Sequence, residues 1–311
     1  MRQVEFSRDG TRLLSRDKQG EVLVWLADSG KLLWRIDKAG SKEDRYRAWT
    51  AALSPNGKYV ISSDGVPLVK VWSIDRPQEP PAVLGSVRKR ASRGTFSPDG
   101  LWIATNYDPL VIWDRASLRM RHEVSMPAGM PGIGQLGGSQ LSYQLAFSPD
   151  GTMLARSIQR VLDVVDVKTG KRIGRWPARY RNDLPSIYGL AWSPDSKLIA
   201  VTQSSVRRET PVVVEARTMK IVTKLTIPDE QSIWVLQFSP DGRQIAGGRS
   251  TLDMYGYTPV SLMPADDLVW DAKTGKVIAK LRSPIGTRPI FSPDGKRIVN
   301  SGQHPTVWKL Q

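Results

Sequence analysis

Short runs rich in apolar residues, separated by polar turn-forming stretches, recur along the whole chain. Runs such as 59–61 (YVI), 102–104 (WIA), 198–200 (LIA) and 297–299 (RIV) are bounded by Gly, Pro, Asp and Ser. That is the pattern of strands joined by tight turns, and it is too short for helices. Each run follows at once on a phrase close to FSPDG. The phrase reads FSRDG at 6–10, LSPNG at 53–57, FSPDG at 96–100 and 147–151, WSPDS at 192–196, and FSPDG at 238–242 and 291–295. In it an apolar residue ends one strand, Pro and Asp set up a turn, and Gly accepts the positive φ the turn needs. A third run then often ends in Trp, at Trp25, Trp72, Trp113, Trp270 and Trp308. It leads to a second polar turn, DSGK at 28–31, DVKTGK at 166–171 or DAKTGK at 271–276, and then to a fourth run such as 32–34 or 277–279.

The turn serines, at 7, 54, 97, 148, 193, 239 and 292, recur every 43 to 53 residues. One four-stranded blade plus some loop occupies about that length. The expected fold is therefore all-β: a single seven-bladed β-propeller over 1–311, with four-stranded antiparallel blades set around a ring and negligible helix. If the first strand is 3–6, strand counting leaves the last blade with three strands, ending at 306–310. Three readings of that shortfall stay open. The chain is an excerpt of a longer protein, the last blade keeps three strands, or a partner donates the fourth to an otherwise unpaired edge.

With SPDG, then a strand, then VWD and TGK, the chain resembles the WD-repeat β-propeller family in its bacterial-type FSPDG form, over essentially its whole length. Departures exist: the family's Trp is Val165 in the fourth repeat and Val214 in the fifth, where Glu215 stands in for Asp. His122 and His304, the two histidines, do not lie where the family's Gly-His pair would put them. The buried polar network built on that histidine is thus expected to be absent, with Trp, Val and Ile packing in its place. A quinoprotein propeller matches DSGKLLW (28–34) and KTGKRIGRW (168–176) locally but not the SPDG turns. The WD resemblance implies that both kinds of short turn lie on one face and the longer connections on the opposite, top face. It also implies a non-catalytic scaffold that binds another protein, or a fused domain, on that top face.

Composition narrows the chemistry. The chain has 311 residues, 40% hydrophobic and 24% charged, with no cysteine, which removes disulfides, thiolate catalysis and cysteine zinc sites. Residues 1–10 lack a signal-length apolar core, and no run of transmembrane length occurs. A cytoplasmic protein without a transmembrane segment is the expectation. Neither histidine spacing nor any Ser, His and Asp set suggests a metal or a nucleophile, and the glycines of GMPGIG (129–134) do not sit between a strand and a helix. No enzyme activity and no cofactor are expected.

The formal charge is +15 and the pI about 10.1. Its densest basic cluster, Arg88, Lys89, Arg90 and Arg93, falls in an expected top-face connection at 85–93. Arg45, Arg47, Arg179, Arg181, Arg207 and Arg208 flank it, with Tyr46, Trp49, Tyr180 and Tyr188 interleaved. Partner binding is assigned to Arg45, Arg47, Arg88, Lys89, Arg90, Arg93, Arg179, Tyr180, Arg181, Arg207 and Arg208. Basic groups mixed with aromatics also suit nucleic acid or anionic lipid, the alternative partners for this arc. Asp229, Glu230, Asp253, Asp266 and Asp267 make the fifth and sixth repeats more acidic, a dipolar arrangement better matched to a protein. The uncharged segment 125–140 reads as a loop rich in Gly, Pro and Met.

Overall fold

In the computed structural model, the described residues are 3–17, 20–36, 50–63, 69–84, 91–107, 109–125, 143–158, 161–177, 186–204, 211–228, 233–248, 266–282, 289–300 and 306–310. They form seven antiparallel sheets and no helix. Sheet one is β1 (Gln3–Phe6), β2 (Arg12–Arg16), β3 (Val22–Leu26) and β4 (Leu32–Ile36). Sheet two is β5 (Thr50–Leu53), β6 (Tyr59–Ser63), β7 (Val69–Ser73) and β8 (Ala82–Leu84). Sheet three is β9 (Ala91–Phe96), β10 (Trp102–Tyr107), β11 (Leu110–Asp114) and β12 (Met120–Val124). Sheet four holds β13 (Tyr143–Phe147), β14 (Met153–Ile158), β15 (Val161–Asp166) and β16 (Arg172–Trp176). Sheet five holds β17 (Ser186–Trp192), β18 (Leu198–Ser204), β19 (Val212–Glu215) and β20 (Ile221–Lys224). Sheet six holds β21 (Val235–Phe238), β22 (Gln244–Gly248), β23 (Asp267–Asp271) and β24 (Val277–Leu281). Sheet seven has three strands among the described residues, β25 (Pro289–Phe291), β26 (Arg297–Asn300) and β27 (Val307–Lys309). In every sheet the strands lie side by side in chain order.

The chain divides into two compact units. One comprises residues 1–130 with 166–171, and so holds the first three sheets. The other comprises 131–165 and 172–311, and holds the last four.

The first turn of each sheet explains the repeated phrase. The serine hydroxyl donates to the side chain two residues on, from Ser7–Asp9 through Ser292–Asp294, at 2.5–2.8 Å. The same oxygen accepts the backbone N–H five residues on, at 2.8–2.9 Å. The Asp Oδ1, or Asn56 Oδ1 in the second repeat, accepts a further backbone N–H. Six of these turns place Gly at φ between 67° and 74°, and the fifth places Ser196 there at 61°. Ser196 does not leave its hydroxyl idle, since it accepts the Asp150 N–H of the preceding sheet's turn at 3.1 Å.

Packing between successive sheets makes the cores. In the first unit Phe96 joins Ile61, Val69, Val71 and Leu84 of sheet two. In the second, Phe238 joins Ala200, Val213 and Leu225 of sheet five, and Phe291 joins Ala246, Val269 and Leu281 of sheet six. Sheets three, six and seven thus present the apolar residue that ends their first strand to the sheet before them, the burial that drives assembly of such repeats.

One expectation is corrected. The tryptophans do more than pack: Trp25, Trp72 and Trp113 donate their indole N–H to Ser15, Ser62 and Thr105 on the neighbouring strand, at 2.8–2.9 Å. An indole in a partly buried place needs such an acceptor. Trp270 faces Gly247 and donates instead to the Thr226 carbonyl of sheet five.

Candidate functional site

Because the strands of each sheet meander in chain order, every sheet has two distinct ends. The turn from first to second strand and the turn from third to fourth lie at one end. All other connections, whose lengths vary widely, leave from the other. The turns expected to share a face share one end of each sheet, while the other end holds connections both short and long, from two residues at 108–109 to eighteen at 249–266.

The turn end is chemically occupied. Besides the Ser–Asp clamps, Asp114, Asp166 and Asp271 each accept the N–H and hydroxyl of a Ser or Thr three residues on, at 2.6–2.8 Å. Glu215 accepts the Thr218 hydroxyl in the same way. Hydrogen bonds from the Ser7, Ser239 and Ser292 hydroxyls hold Asp9, Asp241 and Asp294 below the ordinary carboxylate value, and the Ser117 and Thr274 hydroxyls do the same for Asp114 and Asp271. At Asp150 and Asp195 burial pushes upward, but the hydrogen bonds outweigh it and both are lowered. Charges fixed in this way anchor the turns.

Of the residues assigned to partner binding, Arg45, Arg47, Arg88, Lys89, Arg90, Arg179, Tyr180, Arg181, Arg207 and Arg208 lie outside the described residues. Arg93 lies within them, in β9 opposite Asn106, so it belongs to a strand and not to the connection expected at 85–93. Asp229, Glu230 and Asp253 also lie outside. Asp267 is buried in β23 and so is no loop charge.

Sequence reading missed an ionic cluster in sheet four. Asp163, 1% exposed, receives Arg156 at 3.3 Å, Arg172 at 3.2 Å and Arg175 at 2.8 Å, and the Arg156 side chain is fully buried. Arg156 occupies the strand position of Ser15, Ser62 and Thr105, and Val165 stands where those sheets have the tryptophan. With no indole N–H to accept, the position takes a guanidinium, and a carboxylate on the next strand compensates its charge. Val165 was legible as a departure in the sequence. Its coupling to Arg156 was not, because those two residues sit on different strands.

In the first unit an open groove of ≈ 380 Å³ is lined by Leu32, Leu33, Trp34, Arg35, Trp72 and Pro77. The Trp34 and Trp72 rings meet edge to face, 5.8 Å between centroids. Arg35 is the one ionisable residue in its lining, which gives no acid–base pair for catalysis. Among the described residues no group of three or more His, Asp or Glu is placed to hold a metal ion, and no helix is long and apolar enough to cross a membrane. No family model matches the chain, and no curated protein matches its sequence.

Proposed function

We propose that the seven sheets are the blades of a WD-type propeller, and that the protein is a non-catalytic scaffold which binds another protein through the connection end of its sheets. One observation carries this reading. At the turn end each sheet's first turn has five residues closed by the same hydrogen-bonded clamp, and only 74–81 among the described third-to-fourth turns departs from five residues, whereas connections at the opposite end run from two residues to eighteen. A rigid framework with variability concentrated on one side is how binding loops are displayed. The basic and aromatic residues of 45–47, 88–90, 179–181 and 207–208 all fall in those connections. Arg93 stands at the start of a strand that begins from the same end.

The test compares two sets of substitutions in capture of the cognate protein. Replacing Arg45, Arg47, Arg88, Lys89 and Arg90 with Ser is expected to abolish capture and leave the circular dichroism spectrum unchanged. Replacing the turn-end residues Lys58, Lys168 and Lys197 with Ser is expected to leave capture intact. Equal loss from both sets would remove the assignment to the connection end. If the arc served a polyanion, affinity would instead fall linearly with the logarithm of salt with a slope set by the phosphates contacted.

A further inference from the structure

The outer strands of the second unit carry a surface that the scaffold reading leaves unused. In β24 and the residue before it, Lys276, Ile278 and Lys280 are exposed, while Val277 packs into the core shared with sheet five and Ala279 and Leu281 into the core shared with sheet seven. At β20 Lys220, Ile221, Val222 and Lys224 are likewise exposed, and Thr223 is buried. Val222 is 50% and Ile278 52% exposed. Val222 and Ile278 are the bulged residues at which each strand's register shifts, so each stands out of the ladder between its flanking lysines.

The turn leading into β24 lies against β20: Thr226 N–H donates to the Gly275 carbonyl at 2.9 Å, and the Thr223 hydroxyl donates to the Lys273 carbonyl at 3.2 Å. A Cβ on Gly275 would come within 2.1 Å of the Lys224 oxygen, so the approach is as close as a backbone allows. Lys224, Lys273 and Lys276 therefore belong to one neighbourhood. Glu215 and Asp271, at the starts of the two adjoining turns, are engaged with Thr218 and Thr274.

We propose that this face docks onto an anionic lipid bilayer. Lys220, Lys224, Lys273 and Lys276 meet the headgroup phosphates, and Val222 and Ile278 enter the boundary with the acyl chains. Charge complementarity selects a polyanion, and the aliphatic side chains select lipid among polyanions. Lysine stems can lie along apolar surface with the ammonium at the phosphates, and apolar groups buried at the interface add to electrostatic attraction. Nucleic acid would be met by aromatic platforms or planar hydrogen-bonding groups between the cations, and Ile and Val offer neither. This surface is separate from the connection end, so it stands or falls independently of the partner assigned there.

The experiment is cosedimentation of the full chain with vesicles of phosphatidylcholine containing about a third phosphatidylserine, and with phosphatidylcholine alone. Binding to the first and not to the second is expected. Lys220→Gln, Lys224→Gln, Lys273→Gln and Lys276→Gln should each weaken it about fivefold, and Val222→Ser with Ile278→Ser should weaken it by about tenfold or more. Circular dichroism identifies any variant that fails to fold, and the single Lys→Gln variants then carry the comparison. Absence of binding to the anionic vesicles overturns the proposal. Indifference to Val222→Ser with Ile278→Ser overturns it as well, and so does equal binding to duplex DNA that the same lysine changes weaken.

Discussion

At the scale of single residues, the FSPDG phrase is a hydrogen-bonding device more than a turn preference. Pro and Gly could be read from the sequence as turn residues, because their backbone restrictions are intrinsic. The serine's double role could not, since it depends on an N–H five residues away that only the closed turn brings near. The aspartates in these turns have a consequence for acid stability. Asp9, Asp241 and Asp294 are held below the ordinary value of 3.8, chiefly by serine hydroxyls. A carboxylate depressed in the folded state contributes stability that is complete above its unfolded pKa and is lost as pH falls through the folded one. The melting temperature should therefore hold down to about pH 4 and drop below it. Asn56 shows how to uncouple the turn from the titration, since its Oδ1 accepts the Lys58 N–H and the Ser54 hydroxyl without ionising. The triple variant Asp9→Asn, Asp241→Asn and Asp294→Asn is expected to lose fewer degrees between pH 5 and pH 3 than the parent, in melts followed by circular dichroism. Identical pH profiles would show that these turns do not govern acid unfolding.

At the scale of elements, strand count and strand order were legible because the apolar runs and the two turns repeat with a fixed pattern. What joins the strands sideways was not legible, and sheet four illustrates why. Its Trp is replaced by Val165, which the sequence shows only as a departure from the repeat. The structure instead fills the row with Arg156 and Asp163, joined by Arg172 and Arg175. Sheet five, which also lacks the Trp, pairs Val201 with Val212 at the equivalent row. The same backbone thus accepts an ionic solution and an apolar one. Breaking a buried pair by removing one partner costs about 3–5 kcal/mol, because a buried charge is left behind, whereas exchanging the pair for packed apolar side chains is often neutral. Asp163→Ala is expected to fall in that range by urea denaturation. Arg156→Val combined with Asp163→Val should recover a large part of the loss. A double variant as unstable as the single one would mean that Arg172 and Arg175 also depend on Asp163 for their compensation.

At the scale of the whole molecule, the repeats are equivalent in sequence but not in surroundings. The apolar residue before the turn serine is buried in six of them: Leu53, Phe96, Phe147, Trp192, Phe238 and Phe291 are each no more than 9% exposed. Phe6 is the seventh, and it is 61% exposed, with Val4 on the same strand at 51%. Sequence could not distinguish it, because FSRDG at 6–10 has the same turn chemistry as the others, and burial at this position is conferred by the preceding sheet. In the last sheet Val307 is 58% exposed, although Val24, Val71, Ile112, Val164, Val213 and Val269 hold its position at 7% or less. Truncating a buried aromatic costs about 3–5 kcal/mol, while a substitution on an exposed surface is usually within about 0.5 kcal/mol. Phe96→Ala should therefore destabilise the protein severely, and Phe6→Ala should be nearly silent in the same urea titration. Amide exchange gives a second reading, with the three-stranded sheet expected to protect Val307–Lys309 less than sheet six protects the matching residues of β23. If Phe6→Ala were as costly as Phe96→Ala, a surface would have to cover β1 in solution.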